Sequence, residues 1–192
     1  MTSNSDPGTP AGDVIDILSS DHRDFTALIS EIWTIRDPMM RRDLTDTMIS
    51  ELVRHAVAEE MYVYPAMRKH LPDGEKAVEH DVEEHKELEE LAKRLEDVDV
   101  SSAEFDEALR RLEAVLTDHI QDEESEQFPE LRRQIPREEL VEIAGKVETA
   151  KKLAPTRPHP SAPNNEVFHK LVGPGVGLVD RLRDKLTGRA TK

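Results

Sequence analysis

The residues of this chain most able to do chemistry are four histidines and two glutamates. His55 and Glu59 stand four apart, and so do His119 and Glu123. Residues i and i+4 share one face of a helix, so each pair stacks an imidazole over a carboxylate. Both groups donate to metals. Together, without thiolate, they suit iron or manganese, and affinity alone leaves zinc open. The chain has no Cys, which removes disulfides, iron–sulfur clusters and thiolate zinc sites.

At about 100° per residue, His55 and Glu59 fall within about 40° of the apolar stripe of their helical segment. His119 and Glu123 do the same on another segment, and His22 and His85 on two more. His80 faces away. Tyr62 is expected inward, three residues past Glu59, where it either supplies a phenolate or hydrogen bond to an open metal position or fills the bundle end. Tyr64 is expected to face out. Buried imidazoles and carboxylates are costly unless paired or metal-bound. Six of them on four inward faces therefore point to one shared site, with a purely structural hydrogen-bond network as the competing explanation.

The spacing repeats. His22 to His55 is 33 residues and His85 to His119 is 34; His22 to Glu59 is 37 and His85 to Glu123 is 38. The chain thus offers His, then His-x-x-x-Glu, twice over, as a degenerate internal repeat. Two facing half-sites suggest two metal ions bridged by Glu59 and Glu123. Six protein ligands cannot saturate two octahedral ions, so positions remain where oxygen species can bind.

The elements that must position these residues are helical. Apolar residues recur at three- and four-residue spacing over about 13–36, 40–69, 75–97 and 101–127. Pro38 helps to close the first segment. Leu71-Pro72-Asp73-Gly74 is a turn, and Ser101 with Glu104 has capping-box spacing. Pro65 should kink or fray the end of the second segment. Short connections make successive helices antiparallel, so the expectation is an all-α, up-down-up-down four-helix bundle over residues 13–135. Residues 1–12 read as a disordered segment. Residues 136–192 read as an extension: a fifth helix from about Pro136 to Leu153, a proline-rich extended stretch, and a short amphipathic helix over about 176–186.

The net charge is −15, which argues against general nucleic-acid binding. Residues 151–192 hold nine basic and three acidic side chains, a net of +6, leaving −21 on residues 1–150. The basic tail is expected to dock on the acidic bundle, with contact to a partner or anionic surface as the alternative. No secretory signal or membrane span is recognisable, so a soluble cytoplasmic protein is expected. His70, His159 and His169 fall on turn or tail segments and read as solvated.

Ser20-Asp21-His22-Arg23, His55-Ala56-Val57-Ala58-Glu59-Glu60, Glu84-His85-Lys86-Glu87-Leu88 and His119-Ile120-Gln121-Asp122-Glu123-Glu124, with Pro65 and Pro129 after the glutamates, together resemble the hemerythrin-like, HHE cation-binding domain. The resemblance covers about residues 13–135. It implies a non-heme, oxo- or hydroxo-bridged di-iron site meeting dioxygen, hydrogen peroxide or nitric oxide, with His22, His55, Glu59, His85, His119 and Glu123 as ligands. Members include oxygen carriers, sensors and peroxide-consuming proteins. Oxygen carriers use a fifth His, four residues from another on the third helix. Here His80 and His85 are five apart on different faces, which speaks against a reversible oxygen carrier. The two expectations are a di-iron protein that decomposes hydrogen peroxide, and an oxygen, iron or nitric-oxide binding or sensing module without turnover.

Overall fold

The computed structural model describes residues 12–161, together with 176, 177, 180, 184 and 185. Among these residues the ordered elements are all helical. The first helix is α1 (Val14–Thr34). The second is one long rod built from α2 (Pro38–Ala58), a π-helical turn (Glu59–Val63) and α3 (Tyr64–His70). The third is α4 (Gly74–Asp97). The fourth repeats the design of the second: α5 (Ala103–Asp122), a π turn (Glu123–Gln127) and α6 (Phe128–Gln134). The last described helix is α7 (Arg137–Leu153).

Local chemistry sets the starts. Asp13 caps α1 by accepting from the backbone N–H groups of Ile15 and Asp16, while Asp16 reaches back to the Asp13 N–H. Asp37 caps α2, and Pro38 sits at its first position, where no N–H is needed. Ser102 caps α5, one residue after the expected Ser101. At the turn between α3 and α4, a Cβ on Gly74 would lie 2.1 Å from the Met67 carbonyl oxygen, so the close approach of the two chain segments requires glycine.

The core forms where the apolar stripes meet. Leu18, Phe25, Ile32, Met48, Ile49, Leu95, Phe105, Leu109 and Leu112 are almost fully shielded from water. α1 packs on α2 and α4 on α5 as two hairpins, and α2 faces α4 across the bundle. α7 lies against α1 and α2, burying Leu140, Ile143, Ala144 and Val147. The fifth helix is thus part of the packed body. Beyond it, Arg157 is buried and pairs with Glu96 of α4 and with Asp184, each at 2.6 Å. The expected N-terminal segment and most of the expected 176–186 helix lie outside the described residues.

Pro65 does not fray the second rod. The chain takes a π turn just before it, in which the Tyr64 N–H reaches the Glu59 carbonyl, five residues back. Pro129 follows an identical arrangement, with the Phe128 N–H on the Glu123 carbonyl. A proline cannot supply the N–H that α-geometry wants at its position, and one extra residue per turn accommodates the loss.

Candidate metal centre

His22, His55, Glu59, His85, His119 and Glu123 converge at the middle of the bundle, and each is 3% exposed or less. The donor atoms of His22, His55, Glu59 and Glu123 lie within 4.8 Å of one another, and so do those of Glu59, His85 and His119. Glu59 therefore belongs to both halves. Its Oε2 is 3.2 Å from His55 Nε2 and 3.3 Å from His85 Nε2. Glu123 Oε2 is likewise shared, 3.2 Å from His22 Nε2 and 3.6 Å from His119 Nε2.

A carboxylate in turn holds the far nitrogen of each imidazole. The Nδ1–H of His22 donates to Glu124 (2.8 Å), that of His55 to Asp21 (3.0 Å), that of His85 to Glu60 (3.1 Å) and that of His119 to Glu84 (2.9 Å). A carboxylate can only accept, so Nδ1 carries the proton and Nε2 is turned inward. Such partners fix ring orientation and raise the basicity of a metal-binding imidazole. These four carboxylates come from the neighbours of the candidate ligands in sequence: Asp21 and Glu84 precede His22 and His85, and Glu60 and Glu124 follow Glu59 and Glu123. Sequence reasoning missed their role, although their matching positions in the two repeats were a usable signal.

The centre fits cations. The Nε2 atoms of His22, His55 and His119 and both oxygens of Glu59 and Glu123 are buried without a hydrogen-bond partner. The short nitrogen–oxygen separations above are close approaches of 3.2–3.6 Å between imidazoles and carboxylates. Unpartnered buried polar atoms are rare in folded proteins, and a shared metal pair is one arrangement that satisfies this set. Electrostatics agree. Burial alone would lower the His55 pKa, but the charges of Glu59 and Asp21 outweigh it and raise the value to about 9. His85 is raised well above its ordinary range, against burial, by Glu59 and Glu60. Burial would raise Glu59, yet His55 and His85 hold it well below the usual carboxylate range. The cavity therefore favours positive charge at Nε2, which a metal ion would replace.

Tyr62 is not the aromatic of this site. It is half-buried, packed on the edge of the core near Lys146 of α7. Tyr64 is the buried one, 1% exposed, stacked on His85 with its hydroxyl 3.1 Å from Nε2. The π turn causes the exchange: the residue above Glu59 is the fifth after it, not the fourth. His80 is half-exposed, as expected, and lies 3.5 Å from both Glu84 and Asp122 at the surface.

The fold and this cluster define a helical bundle with a buried histidine–carboxylate cluster able to hold metal cations. The family described as hemerythrin HHE cation binding domain matches residues 13–131, and the chain belongs to it. It is 32% identical over 174 residues to a hemerythrin-like protein of Schizosaccharomyces pombe, covering 90% of this chain and 86% of that one. It is 27% identical over 136 residues to a DNA nickase of Nostoc, covering 71% of this chain but only 38% of the relative. Among solved structures, it resembles a hemerythrin HHE cation binding domain-containing protein of Mycobacterium kansasii. There the TM-score is 0.63 at 22% identity, over 73% of this chain and 85% of that one, a likeness of fold.

Proposed function

We propose that this protein holds two iron ions between its hairpins and uses them to bind and decompose hydrogen peroxide. The observation that carries the reading is the set of buried, unpartnered donor atoms on Glu59, Glu123 and the histidines, with every imidazole oriented by a carboxylate. His22 and His55 would hold one ion, His85 and His119 the other, and Glu59 and Glu123 would bridge them. Iron, when bound, supplies reversible electron exchange, so that one peroxide is reduced to water and another oxidised to dioxygen. The chain's own contribution is positioning and enclosure. The Nδ1–H bonds fix the rings, Phe25 meets His55 edge-on, and Leu18, Leu52 and Leu116 are buried apolar side chains of the same core. Dioxygen and nitric oxide are of a size and chemistry to reach the same positions.

The test is oxygen release from added peroxide by iron-loaded protein, with metal analysis. Two irons per chain and catalytic oxygen release are expected, and His55→Ala with His119→Ala should abolish both. Release no greater than that of free iron would sink the enzyme reading and leave a binding or sensing module. Retention of two irons by the double variant would refute the site itself.

A further inference from the structure

Asp21, the carboxylate behind His55, is itself held by a charge from outside the four bundle helices. Lys151 stands in the last turn of α7, 130 residues away in sequence. Its Nζ donates to both oxygens of Asp21 at 2.6 Å, and Asp21 Oδ2 accepts from the Nδ1–H of His55 at 3.0 Å. The other nitrogen of that ring is turned to Glu59. An unbroken line thus runs from the fifth helix, through one carboxylate, to a candidate metal ligand. The second half of the centre is built differently. Glu84 matches Asp21, each preceding a histidine in its repeat, but Glu84 Oε1 meets the half-exposed His80, at 3.5 Å.

Helix electrostatics and stability account poorly for this lysine. A cation in the last turn of a helix suits its dipole, but the exposed Lys152 beside it serves that purpose from the surface. Lys151 is 18% exposed and Asp21 14%. An ion pair withdrawn from water in this way contributes little net stability, because desolvation offsets the attraction. What the ammonium does change is the carboxylate. An Asp21 shared with a cation pulls less on the His55 N–H, so the imidazole becomes a weaker donor at Nε2. The same withdrawal from water lets the fixed positive charge act on its surroundings with little screening.

Resting on the reading of two irons bridged by Glu59 and Glu123, we propose that Lys151 is a positioning residue of the metal centre, which acts through Asp21 to fix the His55 ring and temper its donation to iron. Lys151 touches no ligand atom itself. The two irons are then held by unequal imidazoles, one backed by Asp21 and Lys151, the other by Glu84 and His80. A positive charge near iron favours the ferrous over the ferric state, so Lys151 makes the half of His22 and His55 the more readily reduced. α7 is thereby part of the working centre as well as a cover for the α1–α2 hairpin.

The test compares the full-length parent with Lys151→Met, which keeps the stem and loses the charge, and Lys151→Arg, which keeps the charge. Metal-free protein is read by NMR of the His55 Nδ1–H. Protein loaded with iron-57 is read by redox titration and Mössbauer spectroscopy. In Lys151→Met the Nδ1 proton should move downfield, as Asp21 draws on it more strongly. One ferric–ferrous equilibrium should shift toward ferric by about tenfold, the low end of what losing an outer partner of a metal ligand does, or about 59 mV for one electron. One quadrupole doublet should move while the other stays. Lys151→Arg should remain near the parent in all three readouts. An unchanged proton, potential and spectrum in Lys151→Met would overturn the proposal and leave the di-iron reading intact. Equal changes in the two variants would overturn it too, since they would mark a loosened α7 rather than a lost charge. A parent chain that binds no iron would instead overturn the di-iron reading, and the metal-free NMR would still decide whether Lys151 acts on the His55 ring.

Discussion

Tyr64 and Phe128 occupy the same place in the two halves of the bundle, five residues past Glu59 and Glu123, and each stacks on a candidate metal-binding histidine. Tyr64 lies over His85 with ring centroids 5.5 Å apart, and Phe128 over His22 at 5.7 Å. Each is delivered by a π turn whose closing N–H is its own. The aromatic plates close the ends of the centre, and the two differ by one hydroxyl.

Tyr64→Phe should therefore be well tolerated. It makes the halves alike at this position and removes a hydroxyl that rests 3.1 Å from His85 Nε2. The expected cost is about 1 kcal/mol, the net worth of one hydrogen bond. For a chain of this size that lowers Tm by about 2–4 °C. Iron content should remain at two per chain. Metal analysis and a thermal melt check this, and loss of one iron would show that the hydroxyl does more than pack.

The convergence of the six candidate ligands was legible because α-helical periodicity runs unbroken through them. His22, His55, His85 and His119 all lie on regular α-helix, where about 100° per residue places a side chain correctly. Glu59 and Glu123 open the π turns, so they too keep the register. Tyr62 and Tyr64 come after that point, and one inserted residue exchanges inside for outside. The oriented carboxylates were not legible for another reason. Asp21, Glu60, Glu84 and Glu124 sit beside the apolar stripes, and only packing across the bundle shows which imidazole each one meets. Packing also decides α7, whose Lys151 reaches back to Asp21 across 130 residues.

The carboxylates behind the imidazoles should matter unequally. Glu84→Ala frees the His119 ring and should weaken iron binding by about 10–100-fold. Asp21→Ala frees His55 in the same way, but it also strands Lys151, whose Nζ lies 2.6 Å from both Asp21 oxygens. Lys151 is only 18% exposed. Asp21→Ala should therefore cost stability as well, on the order of 1–3 kcal/mol in the metal-free protein. Chelator competition measures the shared effect and urea unfolding the difference. Equal stability of the two variants would show that Lys151 finds water or another partner.

The segment after α7 should respond to pH through His159. Its Nε2 lies 2.9 Å from Asp180, and that hydrogen bond raises the imidazole pKa against a smaller opposing effect of burial. A histidine whose folded pKa is raised contributes stability that is complete below its ordinary value of 6.5. The contribution is lost as pH climbs through the raised value. An NMR titration should place His159 above 6.5, and Asp180→Asn should bring it back down. An unchanged titration in that variant would show that Asp180 is not the cause.

Metal should stabilise this fold far more than a surface ion would, because the donors it satisfies are already buried. The carboxylate oxygens of Glu59 and Glu123 are buried without hydrogen-bond partners. An ion that binds only the folded chain adds about 2.7 kcal/mol at a hundred times its dissociation constant. Spread over a chain of this length, that is a rise in Tm of about 5–11 °C. Ferrous iron added anaerobically to chelator-treated protein should produce it, and magnesium, a hard ion that prefers oxygen ligands and water, should not. Replacing His22 and His85 together by Ala removes one imidazole from each half and should erase the rise. If iron leaves the melting temperature of the parent chain unmoved, the buried carboxylates and imidazoles satisfy one another, and the core is a polar network without a resident metal.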